Sequence, residues 1–234
     1  MRVLVLELQA GVGLGRFERF LAERKIEHVV VGPGRGAALP DVRGFDAVLV
    51  GGTTGSVREL DRDPLLKEGA AYVRRCLDAG RPAFGVCGGG QLLARLLGAP
   101  VTASPRTEVG RTAMRLTEAG RRDPLLAGFP ARFDVFEWHC DSFGLPCDAS
   151  LLVEGDVCRH QVFRRGNVVA VQFHLEVVSA DVARWADADP GTLAAGGATR
   201  EQVVAECRAL EDGMGRLADL LLENFLKGIV PAGR

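Results

Sequence analysis

No stretch of this 234-residue sequence approaches the roughly 18 uncharged apolar residues that a membrane-spanning helix needs, so no membrane role is expected. A surplus of either charge is missing as well. Lysine and arginine total 29 against 30 aspartates and glutamates, a formal net charge of −1, and that balance creates no long-range field to recruit nucleic acid or an anionic membrane. The pairs Arg74–Arg75, Arg121–Arg122 and Arg164–Arg165 are short and scattered, and they read as solvated faces. The opening MRVLVLELQAGVG carries one arginine and an apolar run that ends at Glu7, without the length or cleavage site of a signal peptide, which points to a cytoplasmic protein. The six cysteines (Cys76, Cys87, Cys140, Cys147, Cys158, Cys207) include no CxxC pair and no Cys/His grouping at zinc-ligand spacing. Neither a disulfide framework nor a metal or cofactor site is expected, and most of these thiols should be inert and partly buried.

What is present is globular. Hydrophobic residues make up 47% and charged residues 25%, and the length suits one large α/β domain, residues 1–234, better than two domains and a linker. Aliphatic runs at Val3–Leu6, Val29–Val31, Ala47–Val50 and Ala83–Val86 have the character of buried strands. Between them lie helical patterns: Phe17, Phe20 and Leu21, then Leu65, Ala70, Val73 and Leu77 behind an Asp63-Pro64 start and before a Gly80 stop, then a helix from Gly90 onward. Alternation of this kind predicts a flavodoxin-like, mostly parallel sheet flanked by helices. Beyond residue 100 the pattern changes to Ala113–Leu116, Phe133–Phe136, Leu151–Val153, Gln161–Arg164 and Val168–Phe173, read as additional antiparallel strands. Pro190 to Ala198 reads as a loop, and about 199–228 as a helical extension interrupted near Gly213 and Gly215.

The chemistry concentrates in Pro82-Ala-Phe-Gly-Val-Cys-Gly-Gly-Gly-Gln91, a strand running into glycines with a cysteine at the bend and a helix behind it. This is the pattern of a nucleophile elbow, in which small residues on either side, Gly85 and Gly89, let a strained turn present the sulfur. The turn would aim the N–H of Gly88 at the oxyanion of a tetrahedral intermediate, and the glycine pair after Val50 offers the N–H of Gly52 as a second donor. By itself GVCGGG reads equally as a loose loop around a small buried thiol. The segment Val169-Ala-Val-Gln-Phe-His-Leu-Glu176 tips the balance: period-two alternation sets His174 and Glu176 on one side, so the carboxylate could orient an imidazole that takes the thiol proton. Both motifs close predicted parallel strands, where sites in such sheets gather.

These residues resemble the class I glutamine amidotransferases, whose pattern is G-x-C-x-G-x-Q followed much later by F-H-x-E: here Gly85, Cys87, Gly89, Gln91, then Phe173, His174, Glu176. The likeness extends to Gly51-Gly52 and to Trp138-His-Cys-Asp-Ser-Phe143, and is strongest to stand-alone domains similar to the amidotransferase half of GMP synthetase. It implies that Cys87 forms a γ-glutamyl thioester, His174 shuttles protons, Glu176 holds His174, and Gly52 and Gly88 form the oxyanion hole. It further implies that Gln91 and the backbone near Cys140 and Asp141 grip the α-amino and α-carboxylate groups of a small-molecule substrate. His139 reads as a substrate contact or a structural residue, His28 and His160 as structural. The family often has Leu and His at Gly88 and Gly90, and Pro at Leu175; the extra glycines, at about 1 kcal/mol each within a helix, should loosen the elbow or open the pocket.

Three activities fit. One is glutamine hydrolysis with ammonia handed to a separate synthase chain, since the sequence carries no P-loop. A second is cleavage of a larger γ-glutamyl compound, which an open elbow would favour. A third is a catalytically silent regulatory module, against which the intact Cys87, His174 and Glu176 argue. A cysteine hydrolase of the intracellular-protease type shares the sheet and elbow, but not the F-H-x-E ending.

Overall fold

The computed structural model describes residues 1–34 and 38–228. The chain runs β1 (Arg2–Leu6), α1 (Arg16–Glu23), β2 (Glu27–Val31), β3 (Ala47–Val50), α2 (Pro64–Asp78), β4 (Ala83–Val86), α3 (Gly88–Leu96), β5 (Val101–Leu116), α4 (Glu118–Arg122), β6 (Arg132–Phe143), β7 (Ser150–Glu154), β8 (Val162–Arg165), β9 (Val168–Val171), α5 (Ser179–Ala188), α6 (Pro190–Ala195) and α7 (Arg200–Gly228). The strands form one nine-stranded sheet in the order β2-β1-β3-β4-β9-β8-β7-β5-β6. Pairing is parallel from β2 through β9 and antiparallel from β9 outward. The α/β sheet read from the sequence is therefore present, parallel in the half built from β1 to β4 and closed by β9.

Local chemistry sets several of these boundaries. Asp63 accepts hydrogen bonds from the N–H groups of Leu65 and Leu66 (2.9 and 3.0 Å), with Pro64 filling the first helical position, so α2 begins where its free donors find a carboxylate. Gly80 ends it at φ 69°, a left-handed conformation that glycine adopts without a Cβ clash. The central strands are buried on both faces, which is why they read as continuous aliphatic runs. Phe84 packs edge-on to Phe17 of α1 at 5.5 Å and against Phe225 of α7 at 5.3 Å, so α1 and α7 cover one face. Val48, Tyr72, Val73 and Leu92 form the core on the other, beneath α2 and α3.

Four expectations are corrected. Gly213 and Gly215 do not interrupt the last helix, because α7 is continuous over 29 residues. Gly215 instead makes room for a crossing: a Cβ there would lie 2.2 Å from the guanidinium carbon of Arg16, which lies over the helix and approaches Asp219 at 3.9 Å. Residues 190–195 form α6 rather than a loop, started by the same Asp-Pro device as α2, with Asp189 accepting from the N–H of Thr192 at 3.0 Å. The antiparallel half is built on two strands much longer than expected, β5 of 16 residues and β6 of 12, with a register shift between Ala103 and Glu108. Arg164 is no solvated residue: it is half-buried, and its Nε donates to Asp123 at 2.7 Å.

The long arm has one further effect. His174 donates its N–H to the carbonyl of Phe136 at 2.8 Å, so β6, an edge strand by sheet order, returns across the carboxyl end of β9 and puts the Trp138 carbonyl 3.8 Å from the Cys87 sulfur.

Candidate active site

The parallel order places β4 and β9 side by side, and their carboxyl ends deliver Cys87 and His174 to one place. Cys87 has φ 49° and ψ −112° at the N-terminus of α3, a backbone region costly to any residue with a Cβ and tolerated where the surroundings enforce it. Here the enforcement is visible. The Cys87 N–H is held by the Val171 carbonyl at 2.8 Å, and the Cys87 carbonyl accepts from Gln91 N–H at 2.8 Å. A Cβ on Gly85 would lie 2.5 Å from the Gly89 carbonyl oxygen, and one on Gly89 would lie 2.2 Å from that of Val50. The bend can exist only with glycine at both positions.

The two additional glycines do not loosen this elbow. Gly88, Gly89 and Gly90 are all buried. A Cβ on Gly88 would stand 2.7 Å from the Thr53 side chain and 2.9 Å from its backbone nitrogen, and one on Gly90 would stand 2.7 Å from the Val171 carbonyl oxygen. Their missing side chains are replaced by backbone drawn in from β3 and β9, which also corrects the start of α3 from Gly90 to Gly88. The close approach sets Gly52 beside the elbow, its Cβ direction 3.9 Å from the Cys87 Cβ.

His174 and Glu176 meet although β9 stops at Val171: Nδ1 and Oε1 are 2.6 Å apart, and both side chains are buried. Burial alone would make the His174 imidazole less basic. The charge of Glu176 and hydrogen bonding to Cys87 and Glu176 outweigh it and hold the imidazole well above its ordinary value. The Glu176 contact fixes Nδ1, leaving Nε2 without a hydrogen-bond partner in the protein, while Trp185 packs edge-on to the ring at 4.9 Å.

Of the other expected contacts, Gln91, Cys140 and Asp141 all line the pocket that opens over Cys87. The Gln91 amide nitrogen donates to the Asp141 carbonyl at 2.8 Å. The Asp141 carboxylate is paired with Arg58 Nε at 2.9 Å and accepts from Ser56, so these groups brace one another as well as facing the cavity. His28 and His160 each donate through Nδ1 to a backbone carbonyl, of Ile26 and Phe143. All six thiols are free, with Cys76, Cys87, Cys158 and Cys207 buried and Cys140 and Cys147 exposed.

Sequence reasoning missed two walls of this pocket. The loop after β1 contributes Gln9, whose side-chain oxygen accepts from the Thr54 N–H and hydroxyl at 3.0 and 2.7 Å and so holds the loop that carries Gly52. It follows a parallel strand, and the rule that sites form at strand carboxyl ends would have pointed to it. The second wall is α5 and α6, with Arg184, Trp185, Asp189 and Thr192; nothing local in the sequence marks it. Together the walls enclose about 570 Å³. No helix among the described residues is long and apolar enough to cross a membrane.

Comparison with known proteins bears on this geometry. The family model described as glutamine amidotransferase class-I matches residues 18–183. The glutamine amidotransferase-like protein YfeJ of Salmonella typhimurium is 37% identical over 146 residues, covering 60% of this chain and 61% of that protein. One of the separately encoded subunits of the glutamine-hydrolyzing GMP synthase of Thermoplasma volcanium is 32% identical over 133 residues, 56% of this chain and 61% of that one. The aligned region thus spans about three-fifths of either relative. A crystal structure of a glutamine amidotransferase from Thermotoga maritima superposes with a TM-score of 0.87 at 25% identity, over 97% of this chain and 99% of that one.

Proposed function

The chain belongs to the class-I glutamine amidotransferase family, and on that premise we propose that it hydrolyses the side-chain amide of glutamine through Cys87, His174 and Glu176. The observation that carries the reading is the strained Cys87 at the N-terminus of α3 beside a buried His174–Glu176 pair. His174 Nε2 takes the thiol proton and the sulfur adds to the amide carbon. The N–H groups of Gly52 and Gly88 hold the resulting oxyanion. His174 then returns the proton to the departing nitrogen, ammonia leaves, and a γ-glutamyl thioester remains on Cys87. Water, deprotonated by His174, cleaves that thioester to glutamate and regenerates the thiol. Ammonia then passes to a synthase on a separate chain, a division of labour suggested by the Thermoplasma volcanium relative, which is itself named as one subunit of its synthase.

A second reading, cleavage of a larger γ-glutamyl compound, is favoured by the cavity. Its 570 Å³ falls within the roughly 300–1,000 Å³ of pockets that take drug-sized ligands. The space lies toward Trp138, Trp185 and Thr192 rather than at the packed elbow.

Intact-mass spectrometry after brief treatment with a chloro-ketone analogue of glutamine separates these readings. A single adduct on Cys87 that excess glutamine blocks supports glutaminase chemistry; an adduct that glutamine fails to block favours the larger substrate. No adduct on Cys87 points to a silent module. Cys87→Ala is expected to lose amide hydrolysis entirely while keeping its melting temperature, and an active Cys87→Ala protein would overturn the mechanism.

A further inference from the structure

A second polar cluster lies behind the pocket wall. Glu108 on β5 stands opposite His139 on β6, Glu137 lies two residues earlier on the same face as His139, and Cys158 arrives on the connection between β7 and β8. All four are buried, with the side chains of Glu137 and His139 exposed to 0% and 1%. His139 Nε2 is 3.2 Å from Glu137 Oε2 and 3.5 Å from Glu108 Oε2, and the donor atoms of Glu108, His139 and Cys158 all lie within 4.8 Å of one another. Yet both Glu137 oxygens and His139 Nε2 lack a hydrogen-bond partner. The distances suit hydrogen bonds and the directions do not, so these groups converge on a point between them rather than on each other. Buried carboxylates left this way are costly without a compensating charge.

We propose that Glu108, Glu137, His139 and Cys158 bind one divalent transition-metal ion of the zinc type. Ligands about 2.0–2.3 Å from a tetrahedral zinc stand about 3.4 Å from one another, and the measured 3.2 and 3.5 Å match that spacing. A mixed nitrogen, oxygen and sulfur donor set selects zinc over magnesium or calcium, which take oxygen alone. The local chemistry agrees. Burial, then the charge of Glu137, pushes the Cys158 thiol up to about 12 and raises the Glu108 carboxyl. His139 is also raised: burial opposes its charging, and the charge of Glu137 prevails. All three shifts express excess negative potential that a cation would relieve, and coordination would deprotonate the thiol. Four protein ligands make a closed, structural site. It would tie the β5–β6 arm to the β7–β8 connection and stiffen His139, which faces the pocket on its other side.

The test uses the full chain stripped of metal with a chelator, and titrated with Co²⁺ while its near-ultraviolet thiolate-to-cobalt band and visible tetrahedral bands are followed. Because Cys87 and His174 also offer a thiol and an imidazole, Cys87→Ser is titrated in parallel. One equivalent with a thiolate band is expected in both proteins, displaced by Zn²⁺, which should also raise their melting temperatures. Cys158→Ser should lose the band, and Glu137→Gln, a near-isosteric change, should weaken binding by about 10–100-fold or more. Two results would overturn the proposal: no stoichiometric binding and no zinc-dependent melting shift in the wild type, or a band that survives Cys158→Ser and disappears with Cys87→Ser. The readout is independent of amide hydrolysis, so it stands or falls apart from the proposed activity.

Discussion

Glu176 reaches His174 across a single intervening residue, and the 2.6 Å contact decides how the imidazole behaves. Because the contact raises the His174 value in the folded protein, it stabilises the fold while the imidazole is protonated. That contribution is complete below the unfolded value of about 6.5 and disappears as pH rises through the raised folded value. Glu176→Gln should therefore lower the His174 value, read by NMR titration of the ring. Its stability deficit against wild type should be largest below about pH 6.5 and shrink in alkali. With the general base misplaced, kcat/KM for amide hydrolysis should fall by about 10²–10⁴-fold. Cys87, His174 and Glu176 were legible in the sequence because glycine flanks and a two-residue spacing are local patterns. Gln9 and Trp185 were not, because their relation to Cys87 exists only once strands far apart in sequence lie side by side. Glu108, Glu137, His139 and Cys158 escaped for the same reason, since they come from three separate segments and no ligand spacing repeats along the chain.

At the level of elements, glycine in a helix has two meanings, and α7 contains both. Nothing lies within 4 Å of a Cβ added to Gly213, so Gly213→Ala should stabilise the protein by about 0.5–1 kcal/mol. Calorimetry or thermal denaturation should show the rise in melting temperature. Gly215→Ala should lack this gain, since its methyl group displaces the Arg16 guanidinium. A sequence reader sees two glycines two residues apart and infers a break; only the crossing of Arg16 shows that one is a saddle and the other a tolerated cost. The Asp-Pro start of α6 was readable by the same rule that located α2 and was obscured by the glycines and alanines after it. The length of β5 was hidden differently, because Ser104, Pro105 and Arg106 near its register shift resemble a turn.

Across the whole molecule, the parallel half followed from alternating strands and helices, whereas the position of β9 did not. It is the last strand in sequence yet pairs with β4 in the middle of the sheet, a long-range choice that no local pattern encodes. The cover on the opposite side of Phe84 is equally remote, since Phe225 comes from α7. If residues 1–228 fold as one cooperative unit, a chain truncated after Gly197 should lose its near-ultraviolet circular dichroism and aggregate. A truncated chain that stays monomeric and unfolds in a sharp transition would show instead that α7 is an accessory.

The pocket walls also divide along the chain. Family resemblance extends over residues 18–183 and so takes in Cys87, His174 and Glu176. Arg184, Trp185, Asp189 and Thr192 follow directly after it. The machinery at the strand ends and the wall that faces it are thus written in consecutive, separable stretches of sequence. A chimera joined just before residue 184 could exchange the shape of the chamber while leaving the elbow and its imidazole untouched, making the chain a reaction centre with an interchangeable door.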